Sequence, residues 1–248
     1  MSAAAPLRRR VLHQARFETL TLLRNGEQLL VAVVLPVAVL VGLVATDGID
    51  LGAGRRVDLA TPGVLALCVL SSAFTAQAIG TGFDRRDGVL RLLGASPLGR
   101  TGLLAAKALS VLAVLVVQVA VIAVVARGLG WEPDPGGLPA AVLSVLLGTW
   151  AFVALALLLA GTVRAEGVLA LANLVWVALL ALGGVVVARS ELPGGLAAVV
   201  RWLPSAALGD AVRAALVHGA ASPAAWAVLV AWAVVATALA GRLFRWSD

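Results

Sequence analysis

The sequence predicts an all-α polytopic membrane protein, and three observations carry that prediction. Of 248 residues, 61% are hydrophobic and only 13% are charged, and the mean hydropathy is +1.03. Soluble domains run at about 45–50% apolar and about 25% charged, so this chain has too few charges to coat a globule of its size. That balance excludes a soluble cytosolic enzyme and a disordered chain. The apolar residues also gather into stretches close to the roughly 20 residues that a spanning helix needs. Lipid offers the backbone no hydrogen bonds, so stretches of this length cross it as helices.

Cutting the sequence at its charges gives six spans. The first, about 28–46, lies between Glu27 and Asp47. The second, 59–83, lies between Asp58 and Asp84. The third takes about 105–126, its uncharged part running from Lys107 to Arg127. The fourth, 140–163, follows Pro139 and stops at Arg164. The fifth, 167–188, is bounded by Glu166 and Arg189. The sixth, 224–243, follows Pro223 and has the shortest apolar run. An even number puts both termini on one side. Of the 19 Lys and Arg residues, 13 fall on the side of the termini, in the N-terminal segment, the loop from Arg85 to Lys107, Arg164 and the tail. The positive-inside rule makes that side cytoplasmic. The expected placement is therefore a multi-pass protein of the cytoplasmic membrane with both termini inside. The pI near 11.3 then reports arginines beside anionic lipid rather than nucleic acid. The N-terminal segment lacks a small-residue cleavage site, so the first span is expected to stay.

Three segments are neither span nor plain loop. Residues 7–24 place Leu7, Val11, Leu12, Ala15, Thr19, Leu22 and Leu23 on one arc at 100° per residue. Arg9, Arg10, His13, Arg16 and Arg24 fall mostly opposite, Phe17 and Leu20 stray onto the polar side, and Arg8 and Glu18 interrupt the apolar one. This is an imperfect amphipathic helix for the membrane interface, against the alternative of a floppy basic tail. Residues 84–100, DRRDGVLRLLGASPLGR, are short and dense in charge. Val89, Leu90, Leu92 and Leu93 can form one face of a short helix ended by Gly94 to Pro97. Such a helix suits docking to another protein, and the competing reading is a basic loop that only fixes topology. Residues 191–218 are too apolar for a plain external loop and read as two short helices broken at Pro204. Asp210 and Arg213, three apart, could form a weak surface pair.

Several chemistries are missing. Lys107 is the only lysine and follows Ala106 rather than glycine, so there is no phosphate-binding loop. One cysteine and two distant histidines make neither a zinc site nor a triad. No catalytic residue and no metal site is expected. The uncharged stretches hold no ionisable group for ion-coupled carriage. Their polar residues, Ser71, Ser72, Thr75, Gln77, Gln118, Thr149, Asn173 and Trp176, either contact substrate or, more commonly, bond helix to helix. Trp131, Trp202 and Trp246 lie near the expected interfaces as belt anchors, and Cys68 reads as a small buried apolar residue. A bundle without an energy-converting site must be driven by a partner if it moves anything uphill.

The stretch from Thr61 to Leu109 resembles the ABC-2-type membrane-spanning subunits of ABC exporters. Pro62 and Gly63 match the opening of that family's second span. Asp84, Arg85, Asp87, Gly88 and Leu90 match the motif that follows, with Arg86 as an additional basic residue. Leu92, Leu93, Pro97, Arg100 and Lys107 match the rest, while Asp84 replaces the usual Glu and Val89 and Ser96 each replace Thr. Leu192, Pro193, Leu203, Pro204, Asp210 and Arg213 are similar to the family's region before the last span. The nearest flavour is that of daunorubicin-resistance-type drug-efflux permeases.

The resemblance implies a single ABC-2-type transmembrane domain over residues 1–248. Residues 7–24 would be the interfacial connecting helix. Asp84 to Leu93 would be the coupling helix, with Asp84, Arg85, Arg86, Asp87, Gly88, Leu90, Leu92, Leu93 and Pro97 serving a separate ATP-binding subunit. Pro193, Pro204, Asp210 and Arg213 would belong to short helices closing the outer end. This chain would bind no cofactor, ATP and Mg being held by the partner, and it would pair with a second permease copy, identical or not. The implied function is outward movement of an amphipathic or hydrophobic drug, lipid or lipid-linked compound. The alternatives are polysaccharide or haem export by the same kind of subunit, an ATP-independent carrier or channel, and a membrane scaffold.

Overall fold

The computed structural model describes residues 5–24, 26–46, 48, 50–185 and 194–245. Helices α1 (Leu7–Arg24) and α2 (Gly26–Ala45) are followed by α3 (Arg56–Val69). A π-helical segment, Leu70–Ala76, joins α3 without a break to α4 (Gln77–Arg86). Then come α5 (Val89–Ala95), α6 (Gly99–Gly128), a 3-10 turn (Pro135–Gly137) and α7 (Leu138–Thr162). Helices α8 (Ala165–Leu182), α9 (Gly194–Val200), α10 (Pro204–His218) and α11 (Pro223–Leu243) complete the fold. No strand occurs among the described residues.

Among the described residues, four helical stretches are long and apolar enough to cross a bilayer: Arg56–Arg86, Thr101–Gly128, Pro135–Thr162 and Pro223–Leu243. Two shorter apolar helical stretches, Ala32–Ala45 and Ala165–Ala181, lie within α2 and α8. The helices overrun the charge-cut boundaries. The second apolar stretch continues through Asp84 to Arg86, and α6 begins at Gly99 rather than near 105. Pro62 and Gly63 do not open α3, which starts six residues earlier at Arg56.

The core forms around α3, which is buried at Val57 and from Ala60 through Val69, with Asp58 and Leu59 partly exposed. Helices α2, α6, α7 and α10 pack on it, and α11 packs on α7. Polar side chains stitch this apolar mass where the backbone needs partners. Pro36 inside α2 has no N–H to give the Ala32 carbonyl, the bond a helix would otherwise make. Gln118 Nε2 of α6 donates to that carbonyl at 2.6 Å instead. Its Oε1 accepts from Ser72 Oγ in the π-helical segment at 2.9 Å. One amide therefore ties α2, α6 and the π segment together, in surroundings where an unmet polar group costs several kcal/mol.

The other polar residues mostly follow the packing pattern. Trp176 Nε1 of α8 donates to Ser71 Oγ at 2.9 Å, and Gln77 Nε2 donates to Thr81 Oγ1 at 2.9 Å. Thr149 and Asn173 bond the carbonyls of Val145 and Leu169, one turn back in their own helices. Thr75 Oγ1 is buried in the π segment with no hydrogen-bond partner among the described residues. Cys68 is fully buried.

The chain gathers into two distinct ends. At one, here the basic end, α1, α5 and the start of α6 share a small apolar cluster with Phe244, just past α11. The Arg245 N–H also bonds the Gly161 carbonyl there, at 3.0 Å. At the opposite end the 3-10 turn meets α10, the Asp134 N–H bonding the Leu216 carbonyl at 3.3 Å. Trp131 is a correction to the anchor reading: it is buried in the main core, not set at an interface. Trp202 is exposed, its ring under the Arg201 guanidinium at 4.7 Å, and Trp246 lies outside the described residues.

Candidate functional site

The basic end is built around the break between α4 and α5. Gly88 makes that break, because its φ of +77° is left-handed and the helix cannot continue through it. The Asp87 N–H bonds the Phe83 carbonyl at 2.9 Å and the Gly88 N–H bonds the Arg85 carbonyl at 3.1 Å, closing α4. The short helix therefore runs from Val89 to Ala95, and Asp84 to Arg86 belong to the long helix before it, not to the short one as expected. An added Cβ at Gly88 would meet no atom within 4 Å, so a substitution there is penalised by conformation alone. Gly88→Ala is expected to destabilise by about 1 kcal/mol. Gly80→Ala, in open space within α4, should stabilise by about 0.5–1 kcal/mol. Thermal midpoints of the two purified variants should move in opposite directions.

Helix α5 divides its leucines between two faces. Leu90 is fully buried in one apolar cluster with Val11 and Ala15 of α1 and Leu103 and Ala106 of α6, and Leu93 packs partly on the same cluster. Val89 and Leu92, three apart and so on one face, are exposed, Leu92 to 73%. Arg91, Arg86, Asp87 and Pro97 are exposed around them. The expected single apolar face of Val89, Leu90, Leu92 and Leu93 is thus two faces, one holding α5 to the bundle and one left open.

Arg85, expected among the residues that serve a partner, is turned inward. Its Nη1 donates to the Ala160 carbonyl and its Nη2 to the Val163 carbonyl, both at 2.6 Å. These carbonyls lie at the C-terminal end of α7, where the helix dipole favours a cation. Arg86 stays outside, 4.5 Å over the Phe83 ring, with Asp87 at 3.0 Å and Glu166 of α8 at 3.8 Å.

The chain's only lysine closes the site from behind. Lys107 Nζ lies 3.0 Å from Asp84 Oδ2 on α4 and 3.7 Å from Glu18 Oε1 on α1. The Lys107 side chain is 5% exposed and that of Glu18 16%, while Asp84 stays open to 38%. Gln14 Nε2 donates to Glu18 Oε1 at 3.0 Å, and Ser110 Oγ lies 3.3 Å from Glu18 Oε2. Glu18 was missing from the expected site. The available signals were its intrusion on the apolar arc of α1 and the solitary lysine, but their separation of 89 residues hides the pair.

At the opposite end, α10 is buried over most of its length between α3, α7 and α11. Pro204 starts it, as expected, in a first turn that needs no N–H. Asp210 and Arg213 do pair, at 3.7 Å, but the expectation of a surface pair is corrected. Arg213 is buried, and its Nη2 donates to the carbonyls of Gly184 at 3.1 Å and Val185 at 2.6 Å, just past α8. Leu192 and Pro193 lie outside the described residues.

Between α6, α7 and α11 a groove of about 250 Å³ is lined by apolar residues such as Leu112, Leu146 and Val153. Its polar features are Thr149 and the hydrogen bond from Trp150 Nε1 to Thr237 Oγ1 at 3.1 Å. Such a lining accepts alkyl or aromatic groups.

The family described as ABC-2 type transporter matches residues 5–217, from before α1 nearly to the end of α10. No curated protein matches the chain.

Proposed function

This chain belongs to the ABC-2 type transporter family and is a membrane-spanning subunit of an ABC transporter, and from that premise we propose that it is the permease of an exporter. It crosses the cytoplasmic membrane six times with both termini in the cytosol, the basic end facing inward as the positive-inside rule requires. ATP and Mg are bound by a separate ATP-binding subunit, and the working unit pairs this chain with a second permease copy.

The observation that carries this reading is the open face of α5. Val89 and Leu92 stand exposed among Arg91, Arg86 and Asp87, while Leu90 anchors the helix from behind. An apolar pair ringed by charge, on a helix held rigidly to the bundle, suits seating in a cleft of the ATPase. The differential affinity of ATP for the closed ATPase pair supplies the bias, and α5 passes the movement to the spans. The cargo is amphipathic or hydrophobic, in keeping with apolar helices whose polar side chains are mostly bonded within the bundle. A drug, a lipid or a lipid-linked compound fits. The buried α10 and the Asp210–Arg213 pair close the outer end.

Leu92→Asp tests the docking face. The variant should insert normally yet lose at least tenfold in ATP-driven cargo uptake into inverted vesicles, with the ATPase subunit lost on copurification. Leu92→Met should keep both. Full export by the aspartate variant would remove α5 from the mechanism.

A further inference from the structure

We infer that Lys107 is a positioning residue, a clamp that sets the register between α1, α4 and α6 so that α1 and α5 move as one body. The inference rests on the proposed driving of this chain through α5.

Three helices distant in sequence meet at one ammonium group. Glu18 comes from α1, Asp84 from the last turn of α4, and Lys107 from α6, two turns in from its start. With 30 residues α6 is about 45 Å long, more than the roughly 30 Å of a hydrocarbon core, so its first turns extend beyond the spanning part. Lys107 stands near that transition. The apolar cluster beside it already joins α1, α5 and α6, through Val11, Ala15, Leu90, Leu103 and Ala106. Apolar contact is non-directional, so it holds these helices together without fixing how far one slides on another. The charges are directional. Glu18 is further fixed by Gln14, and Ser110 stands beside it.

A buried ion pair is a poor device for stability, because desolvation consumes most of its Coulomb energy. Its better-attested use is registry. Here the pairing joins the interfacial helix to Asp84, four positions before the Gly88 break, which is where a stroke from α5 enters the bundle. A merely stabilising role and a positioning role therefore predict different results.

The test compares Lys107→Met, Lys107→Arg and a neutral triple variant, Glu18→Gln with Asp84→Asn and Lys107→Met, in the full chain with its ATP-binding subunit. Lys107→Met alone leaves two carboxylates facing each other and is the variant most exposed to misfolding. The neutral triple variant avoids that charge conflict. It should keep assembly and thermal midpoint near the parent while exporting at least fivefold less cargo per ATP hydrolysed. Lys107→Arg should stay within twofold of the parent ratio. A parent ratio in the triple variant would overturn the clamp.

A second measurement does not depend on the ATPase. Spin labels at Phe17 of α1 and Arg91 of α5, both exposed, should give a narrow distance distribution in the parent chain in nanodiscs and a broad one in the neutral variant. If the distribution stays narrow, the clamp is wrong whatever drives the protein. If it broadens while no ATP-driven export exists for the parent either, the clamp stands and the exporter reading falls.

Discussion

Replacing Arg85 with methionine is expected to lower stability by about 3–5 kcal/mol, as the loss of two hydrogen bonds from one buried charged donor implies. The guanidinium is buried and supplies donors to two carbonyls, Ala160 and Val163, at the end of α7. Bonds to a charged donor contribute roughly 1.5–3 kcal/mol each, and methionine offers neither of them. The freed carbonyls lie where α7 gives way to α8, so water reaches them only if the helix end loosens. For a chain of this size about 1 kcal/mol corresponds to 2–4 °C, so the apparent midpoint should fall by roughly 6–20 °C. Lysine at the same position, with one point charge in place of a planar fork, should recover less than half of that loss. A midpoint for Arg85→Met within 2 °C of the parent would contradict the inward role. The prediction also separates Arg85 from Arg86, whose exposed side chain should tolerate methionine with little change in stability.

The second large effect belongs to Gly137. A Cβ there would run into the carbonyl oxygen of Ala215 and lie 2.7 Å from its carbon, with the Gly219 Cα at 3.1 Å. All three are backbone atoms, so no rotamer change can give way. Gly137→Ala must push α10 off the 3-10 turn, and a loss of about 3 kcal/mol or more is expected, the upper range for overpacking. Gly148→Ala is the matched comparison. Its added methyl would meet Leu208 Cδ1 at 2.7 Å, the far end of a side chain that can rotate, and about 1 kcal/mol should suffice. Thermal unfolding of both variants, in one detergent, should rank them clearly. Equal midpoints would mean that α10 is free to shift.

Much of the fold was legible because lipid imposes length and apolarity on the helices that would cross it. A helix runs over Leu7–Arg24, the segment whose periodicity and basic residues point to an amphipathic helix. The two short helices around Pro204 were legible for a similar reason, proline being accepted in a first turn and refused in an interior. Charge-cutting failed where a charge is answered inside the molecule. Asp84 and Arg85 look like the end of a span, yet one pairs with Lys107 and the other with the end of α7, so the helix runs on to Arg86. The two faces of α5 were hidden because Val89, Leu90, Leu92 and Leu93 spread over a wide arc, and only packing on the bundle decides which of them turn inward. Glu18 was hidden because a local pattern sees an acid as an interruption, while its cation lies on a distant helix. Trp131 misled by its proximity to a span end, a position that suits an anchor and a core residue equally.

The sealed position of Cys68 has a practical consequence for following this molecule in action. A chain whose single thiol is inaccessible is, toward maleimides and other sulfhydryl reagents, already silent. A cysteine introduced at a chosen exposed position becomes the one reactive group, and the native background needs no prior replacement. Accessibility mapping from either side of the membrane can therefore be carried out on the otherwise native sequence, each label reporting its own location.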